Sequence, residues 1–204
     1  MTHTRRKKDF FMLPLPPMPS WDAIHPLIIH FPIVLLLLAP FLVLVGALRP
    51  PEQGRTILYV ALAVMIAGTV GTHLAVASGE AAAQLAERTP QVDAVLEHHE
   101  HLAEATRIGF SVLTVIFAAI LFIPRTLRKT ANRLVSTVLP LAFLILYGGG
   151  TLLLVNTAHN GARLVHEFGV TAALKSSPVP AAEQERNPQN NVPGSQKDTA
   201  ADRD

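Results

Sequence analysis

Four apolar runs decide what this chain can fold into. They cover residues 27–48, 56–77, 106–123 and 134–155, each close to the ~20 residues that carry a helix across a bilayer. Hydrocarbon offers no water to backbone N–H and C=O groups, so such runs must close their hydrogen bonds internally, as helices. The expected fold is all-α: a polytopic membrane four-helix bundle with an amphipathic outer segment between helices 2 and 3. Composition agrees, since half of the 204 residues are hydrophobic and 16% are charged. The formal net charge of +2 is small and the basic residues sit in short loops, which argues against nucleic acid as a partner.

None of the four runs holds Asp, Glu, Lys or Arg near its midplane, where transporters and pumps need such groups. Pro32 and Pro40 should loosen the first run and free carbonyls that neighbouring helices must satisfy. Gly68 and Gly71 in the second run, and Gly148, Gly149 and Gly150 in the fourth, leave room for close helix approach or for a flat ligand.

Residues 78–105 are polar and helical in character. Ser78 and Thr89-Pro90 read as helix N-caps, the second with Pro at the first helical position. From Pro90 the pattern continues unbroken into the third run, with an apolar stripe of Val92, Val95, Leu96, Leu102 and Ala103. His99 falls inside that stripe, His98 off its edge, and His101 on nearly the opposite side. After the fourth run, Asn160-Gly161 reads as a helix stop followed by a short amphipathic segment. The expected organisation is a basic, proline-rich arm over residues 1–20, a transmembrane domain over residues 21–170, and a tail over residues 171–204. The tail has too few apolar residues to order itself.

Loop charges set the orientation. Arg49 and Arg55 lie in the first loop, and Arg125, Arg128, Lys129 and Arg133 in the third, while the second carries Glu80, Glu87, Asp93, Glu97, Glu100 and Glu104 against Arg88. Excess Lys and Arg in short loops marks the cytoplasmic side, which puts both termini and the second loop outside. The basic run Arg5–Lys8 pulls the other way, but it lies well before the first span. Either way, eight of the nine histidines sit at span ends that alternation brings to one side.

That clustering is the functional signal. An ionisable side chain at the mouth of a spanning helix is costly without a partner. His30, His73, His99 and His159 come one from each helix at the same end. Three readings fit them. Two imidazoles on facing helices can hold haem b, with His73–His159 and then His30–His99 as the favoured pairs. Alternatively, His25 and His166 with Glu80 or Glu100 can hold a single Zn, Cu or Fe ion. Third, the imidazoles simply cap helix ends and bond to headgroups or water. The chain has no Cys, which removes disulfides, thiolate ligands and covalent haem attachment. Neither Glu-x-x-His nor His-Glu-x-x-His occurs, and no two His stand at i,i+4. Haem loses nothing from these absences, because it needs only one His from each of two helices. No catalytic residue can be picked out by spacing.

His25-Pro26 with His30-Phe31-Pro32, Gly79-Glu80, His99-Glu100, and His159 with Gly161-Ala162-Arg163-Leu164-Val165 together resemble a bacterial membrane family, "domain of unknown function 2231". The resemblance covers residues 21–170 and implies a four-span domain of the bacterial cell (inner) membrane. Its relatives occur fused to Rieske-type or cytochrome c-like modules, which implies a redox neighbourhood with quinol and an external redox protein as partners. Many members have Gly-Gly followed by Tyr-x-His where this chain has Gly161-Ala162 and His166-Glu167-Phe168. The resemblance therefore puts His99 and His159 ahead of His166.

The orientation is open to direct test. With single cysteines and a membrane-impermeant thiol reagent on intact cells, Gln84→Cys is expected to label and Arg128→Cys to stay unlabelled. The opposite pattern would invert the topology.

Overall fold

A computed structural model describes residues 20–126, except 22, and residues 134–170. The N-terminal arm up to residue 19, the tail from residue 171 and most of the third loop lie outside the described residues. Among these residues every regular element is helical. A single turn, α1 (His25–Ile28), leads into α2 (His30–Leu48), followed by α3 (Pro51–Ala83) and α4 (Pro90–Thr126). A π-helical turn, Leu134–Val138, then opens α5 (Leu139–His166). Four of these stretches are long and apolar enough to cross a membrane: His25–Leu48, Pro51–Ala83, Pro90–Pro124 and Ser136–His166.

The helices pack as a ring in which α2 lies on α3, α3 on α4, α4 on α5, and α5 back on α2. Short connections make sequence neighbours antiparallel, so the start of α2, the end of α3, the start of α4 and the end of α5 share one end of the bundle. The interior is a column of aromatic rings. Phe117 stacks on Phe143 at 4.8 Å between centroids, Phe143 lies 5.7 Å from Tyr147, and Phe110 meets Tyr147 edge-on at 5.5 Å. Leu36, Val43 and Met65 complete the buried centre. The outside is the reverse of a soluble protein: Ile145 is 83% exposed and Leu152 73%. Lipid, as apolar as those side chains, is the solvent such a surface requires.

Proline and glycine shape the first hairpin. Pro32 has no N–H for the Ile28 carbonyl, and the helix is interrupted one residue later, at Ile29, between α1 and α2. Pro40 lies inside α2 and withholds a donor from the Leu36 carbonyl. Tyr147 of α5 supplies it, its hydroxyl donating to Leu36 O at 2.7 Å. The room left by the small residues is taken by neighbouring helices: a Cβ on Gly68 would meet the Leu36 side chain at 2.8 Å, one on Gly71 would meet Pro32 at 3.0 Å, and one on Gly150 would meet Leu113 at 2.6 Å. Only open space faces Gly148 and Gly149.

Two expected boundaries move. Ser78 is not an N-cap, because α3 runs through it to Ala83; its hydroxyl instead donates back to Ala75 O. Asn160-Gly161 does not stop α5, which continues to His166. There the absent Cβ serves packing, and the Asn160 amide bonds back to Asn156 O. Thr89 does act as a cap, its Oγ1 accepting from Val92 N–H at 3.3 Å. The 37 residues of α4 span about 55 Å, far more than the ~30 Å hydrocarbon core, so its first turns stand clear of the bilayer. Val92 and Leu96 pack there with Ala83 and Leu164 as a small second core, which is the amphipathic outer segment.

The Tyr147 hydroxyl therefore substitutes for the amide that Pro40 lacks. Tyr147→Phe is expected to destabilise the bundle by about 1 kcal/mol, the scale of a hydrogen bond inside a membrane protein. The loss should shrink in a Pro40→Ala background, where the backbone regains its own donor. A double-mutant cycle on unfolding free energies in detergent reads both effects, and purely additive losses would refute the substitution.

Candidate functional site

The shared end of the bundle holds two imidazoles that turn inward. His25, in α1, lies over Gly79 of α3, where an added Cβ would come within 2.9 Å of the ring. His99, in α4, lies over Gly161 of α5, again with 2.9 Å to the position of a Cβ. Each hairpin thus carries the same arrangement: a half-buried imidazole before its first span, resting on a glycine near the end of its second.

Hydrogen bonding fixes their tautomers. His99 Nδ1 lies 3.0 Å from the Thr157 carbonyl, which can only accept, so Nδ1 carries the proton. His25 Nδ1 lies 3.1 Å from Ser78 Oγ. The single Ser78 hydroxyl proton already goes to Ala75 O at 3.1 Å, so Ser78 accepts and His25 Nδ1 donates. In both neutral rings Nε2 is then a bare lone pair. This is the state in which histidine binds metals, and ligating histidines almost always donate their other nitrogen to such a partner.

Hydroxyl groups fill the layer beneath. Thr157 Oγ1 meets Thr106 Oγ1 at 2.7 Å, tying α5 to α4 directly below His99. Thr69 Oγ1 meets Thr114 Oγ1 at 2.8 Å between α3 and α4. Every buried side-chain polar atom among the described residues has a partner. This layer holds the backbone that carries the Thr157 carbonyl.

The other candidates face away. His30 is exposed, with Nδ1 2.8 Å from its own Pro26 carbonyl. His73 is exposed on α3 and reaches Ser111 of α4 at 3.1 Å. His159 is exposed on α5, which does not pack along the α3 helix that bears His73. His166, Glu80 and Glu100 are also exposed. His101 points outward, opposite Glu97 at 3.8 Å, while His99 two residues earlier turns inward, as the apolar stripe of α4 predicts. Among the described residues no three His, Asp or Glu side chains gather as a metal ion would need. Ser78, Gly79, Thr157 and Gly161 escaped sequence reasoning as site residues. Their signal was a small or hydroxylated pair near the end of each even-numbered span.

The glycine seats predict separable effects. Gly161→Ala should displace His99 without removing it, raising its reaction rate with diethylpyrocarbonate several-fold by mass-spectrometric mapping. Gly148→Ala, which faces open space, should leave that rate unchanged. Equal rates in the two variants would show that the glycine does not seat the ring.

Comparison with curated proteins and with solved structures finds no match in either. A family model described as "Predicted membrane protein (DUF2231)" matches residues 21–174, the whole bundle with its imidazole-bearing end. The chain is a four-span integral membrane protein and belongs to the DUF2231 family.

Proposed function

We propose that this membrane bundle binds haem b at its histidine-bearing end as an electron-transfer centre, and that His25 and His99 are the residues that would hold it. The observation that carries this reading is the pair itself: two half-buried rings at one end, each with Nδ1 given to a protein oxygen and Nε2 left as a lone pair. The donor set fits the group, because haem b needs two imidazoles and no thiolate. Bound there, it would supply a one-electron couple.

The chain's own residues do the positioning. Ser78 and the Thr157 carbonyl orient the rings and keep them in the ligating tautomer. Gly79 and Gly161 let the rings lie close against α3 and α5. Of the four histidines weighed for haem in the sequence, His99 keeps its place in this reading. His25 replaces His30, His73 and His159, whose side chains are exposed. Loop charge supports an orientation in the bacterial inner membrane with this end outside. Such a centre suits exchange between quinol in the bilayer and an external redox protein.

The reading is tested by absorption spectroscopy on protein purified from haem-replete cells. A Soret band is expected, with haem content falling at least tenfold in His25→Ala and His99→Ala and near normal in His101→Ala. Loss in His73→Ala and His159→Ala instead would move the ligands to the other pair. Absence of the band with stoichiometric Zn, Cu or Fe would leave a non-haem metal module. With neither haem nor metal, the imidazoles serve the bundle alone.

A further inference from the structure

The two halves of the site match in layout but differ in the atom that receives the ring proton. His99 gives its Nδ1–H to the Thr157 carbonyl at 3.0 Å, and His25 gives its own to the Ser78 hydroxyl at 3.1 Å. A carbonyl oxygen only accepts, whereas a hydroxyl accepts or donates according to where its proton points.

The Ser78 proton has two places to go. In the structure it is on Ala75 O, 3.1 Å from Oγ, and His25 Nδ1 lies at the same distance. Turning the hydroxyl toward His25 therefore moves no heavy atom. Nor does it orphan the Ala75 carbonyl, because α3 runs through Ser78 to Ala83 and the Gly79 amide remains its helical donor. Ser78 is fully buried, so its hydroxyl chooses between protein partners. With Ser78 donating, Nδ1 becomes the acceptor and the proton of the neutral ring sits on Nε2 instead. The ring is only half-buried, so that proton is not carried into a closed apolar site.

His99 has no such choice. Moving its proton to Nε2 would set the Nδ1 lone pair against the Thr157 carbonyl, two acceptors with no proton between them. The Thr157 hydroxyl is no substitute. It is engaged with Thr106 Oγ1 at 2.7 Å and with the Leu102 and Leu153 carbonyls at 3.1 and 2.9 Å. An acceptor left unpaired among buried groups carries a desolvation cost that the Nδ1–H tautomer avoids.

We propose that Ser78 lets His25 exchange between two tautomers, one with Nε2 as a lone pair and one with Nε2 protonated, while the Thr157 carbonyl keeps His99 in the first. The exchange itself needs no cofactor, but its purpose rests on the haem reading above. There His99 is the standing ligand and His25 the releasable one, and the α1–α3 side of the site admits a small competing ligand.

The test is ring-nitrogen NMR on the cofactor-free full chain in detergent, at about pH 8.5, well above the ordinary imidazole range. His99 is expected to show one protonated and one bare nitrogen. His25 should show two nitrogens at intermediate shifts, the average of fast exchange. Ser78→Ala should move the His25 signals and leave those of His99 in place. Limiting shifts at His25 in the wild type, or His25 signals unmoved by Ser78→Ala, would overturn the proposal. If Ser78→Ala does not fold, the two rings of the wild-type chain decide by themselves. In haem-loaded protein, cyanide is expected to raise the reaction rate of His25 with diethylpyrocarbonate several-fold and to leave His99 protected. Exposure of His99 instead would refute the assignment of the releasable side. Averaged His25 signals without a Soret band would remove the haem reading and keep the tautomer exchange; a Soret band with a fixed His25 would do the reverse.

Discussion

The backbone of a spanning helix has no solvent to fall back on, and the whole architecture answers to that constraint. It is most visible where the sequence violates it. Pro40 removes an amide from the middle of α2, and the Leu36 carbonyl, fully inside the ring, loses its intrahelical donor. Tyr147 repairs the gap from another helix at 2.7 Å. One hydrogen bond thereby fixes the depth and rotation of α5 relative to α2. Tyr147 also sits within the aromatic column, between Phe110 and Phe143, so the repair and the core are one feature.

With the centre given to aromatic packing around that one hydrogen bond, the inward-turned imidazoles gather at the end of the bundle. Two pairs of threonine hydroxyls, Thr106 with Thr157 and Thr69 with Thr114, carry polar contacts inward from it at two depths. His25 and His99 find their partners above the first pair, and His73 finds Ser111 between the two. The small residues serve the same division. Gly68, Gly71 and Gly150 bring helices together in the apolar part, and Gly79 and Gly161 bring rings against helices in the polar part. A residue type that reads as a single signal in the sequence thus does two jobs set by depth.

Much of the fold was legible because length and hydropathy alone decide it. Four uncharged runs of bilayer length admit few other folds, and the unbroken pattern from Pro90 into the third run gave α4 its full extent. The inward turn of His99 could be read as well, because α4 begins outside the membrane, where an apolar stripe has a polar face to contrast with. No such contrast exists in α2 or along the membrane part of α3 and α5. Those helices are apolar on every side, so the rotation that exposes His30, His73 and His159 leaves no trace in the order of residues. Ser78 and Asn160-Gly161 misled for a related reason. Their residue types favour helix ends in water, but here the helices continue and those residues hold a neighbouring imidazole or let it approach.

The imidazole-on-glycine arrangement occurs once in each hairpin, and each copy is complete within its own hairpin. His25, Ser78 and Gly79 belong to the α1–α3 half, and His99, Thr157 and Gly161 to the α4–α5 half. Neither half needs the other to orient its ring. During synthesis the first hairpin can enter the bilayer with its imidazole already seated while the second is still being made. The two seats come to one end of the bundle only when the hairpins dock. Docking is therefore the step that joins them: a hairpin made alone already holds its own ring, and the finished bundle adds the second.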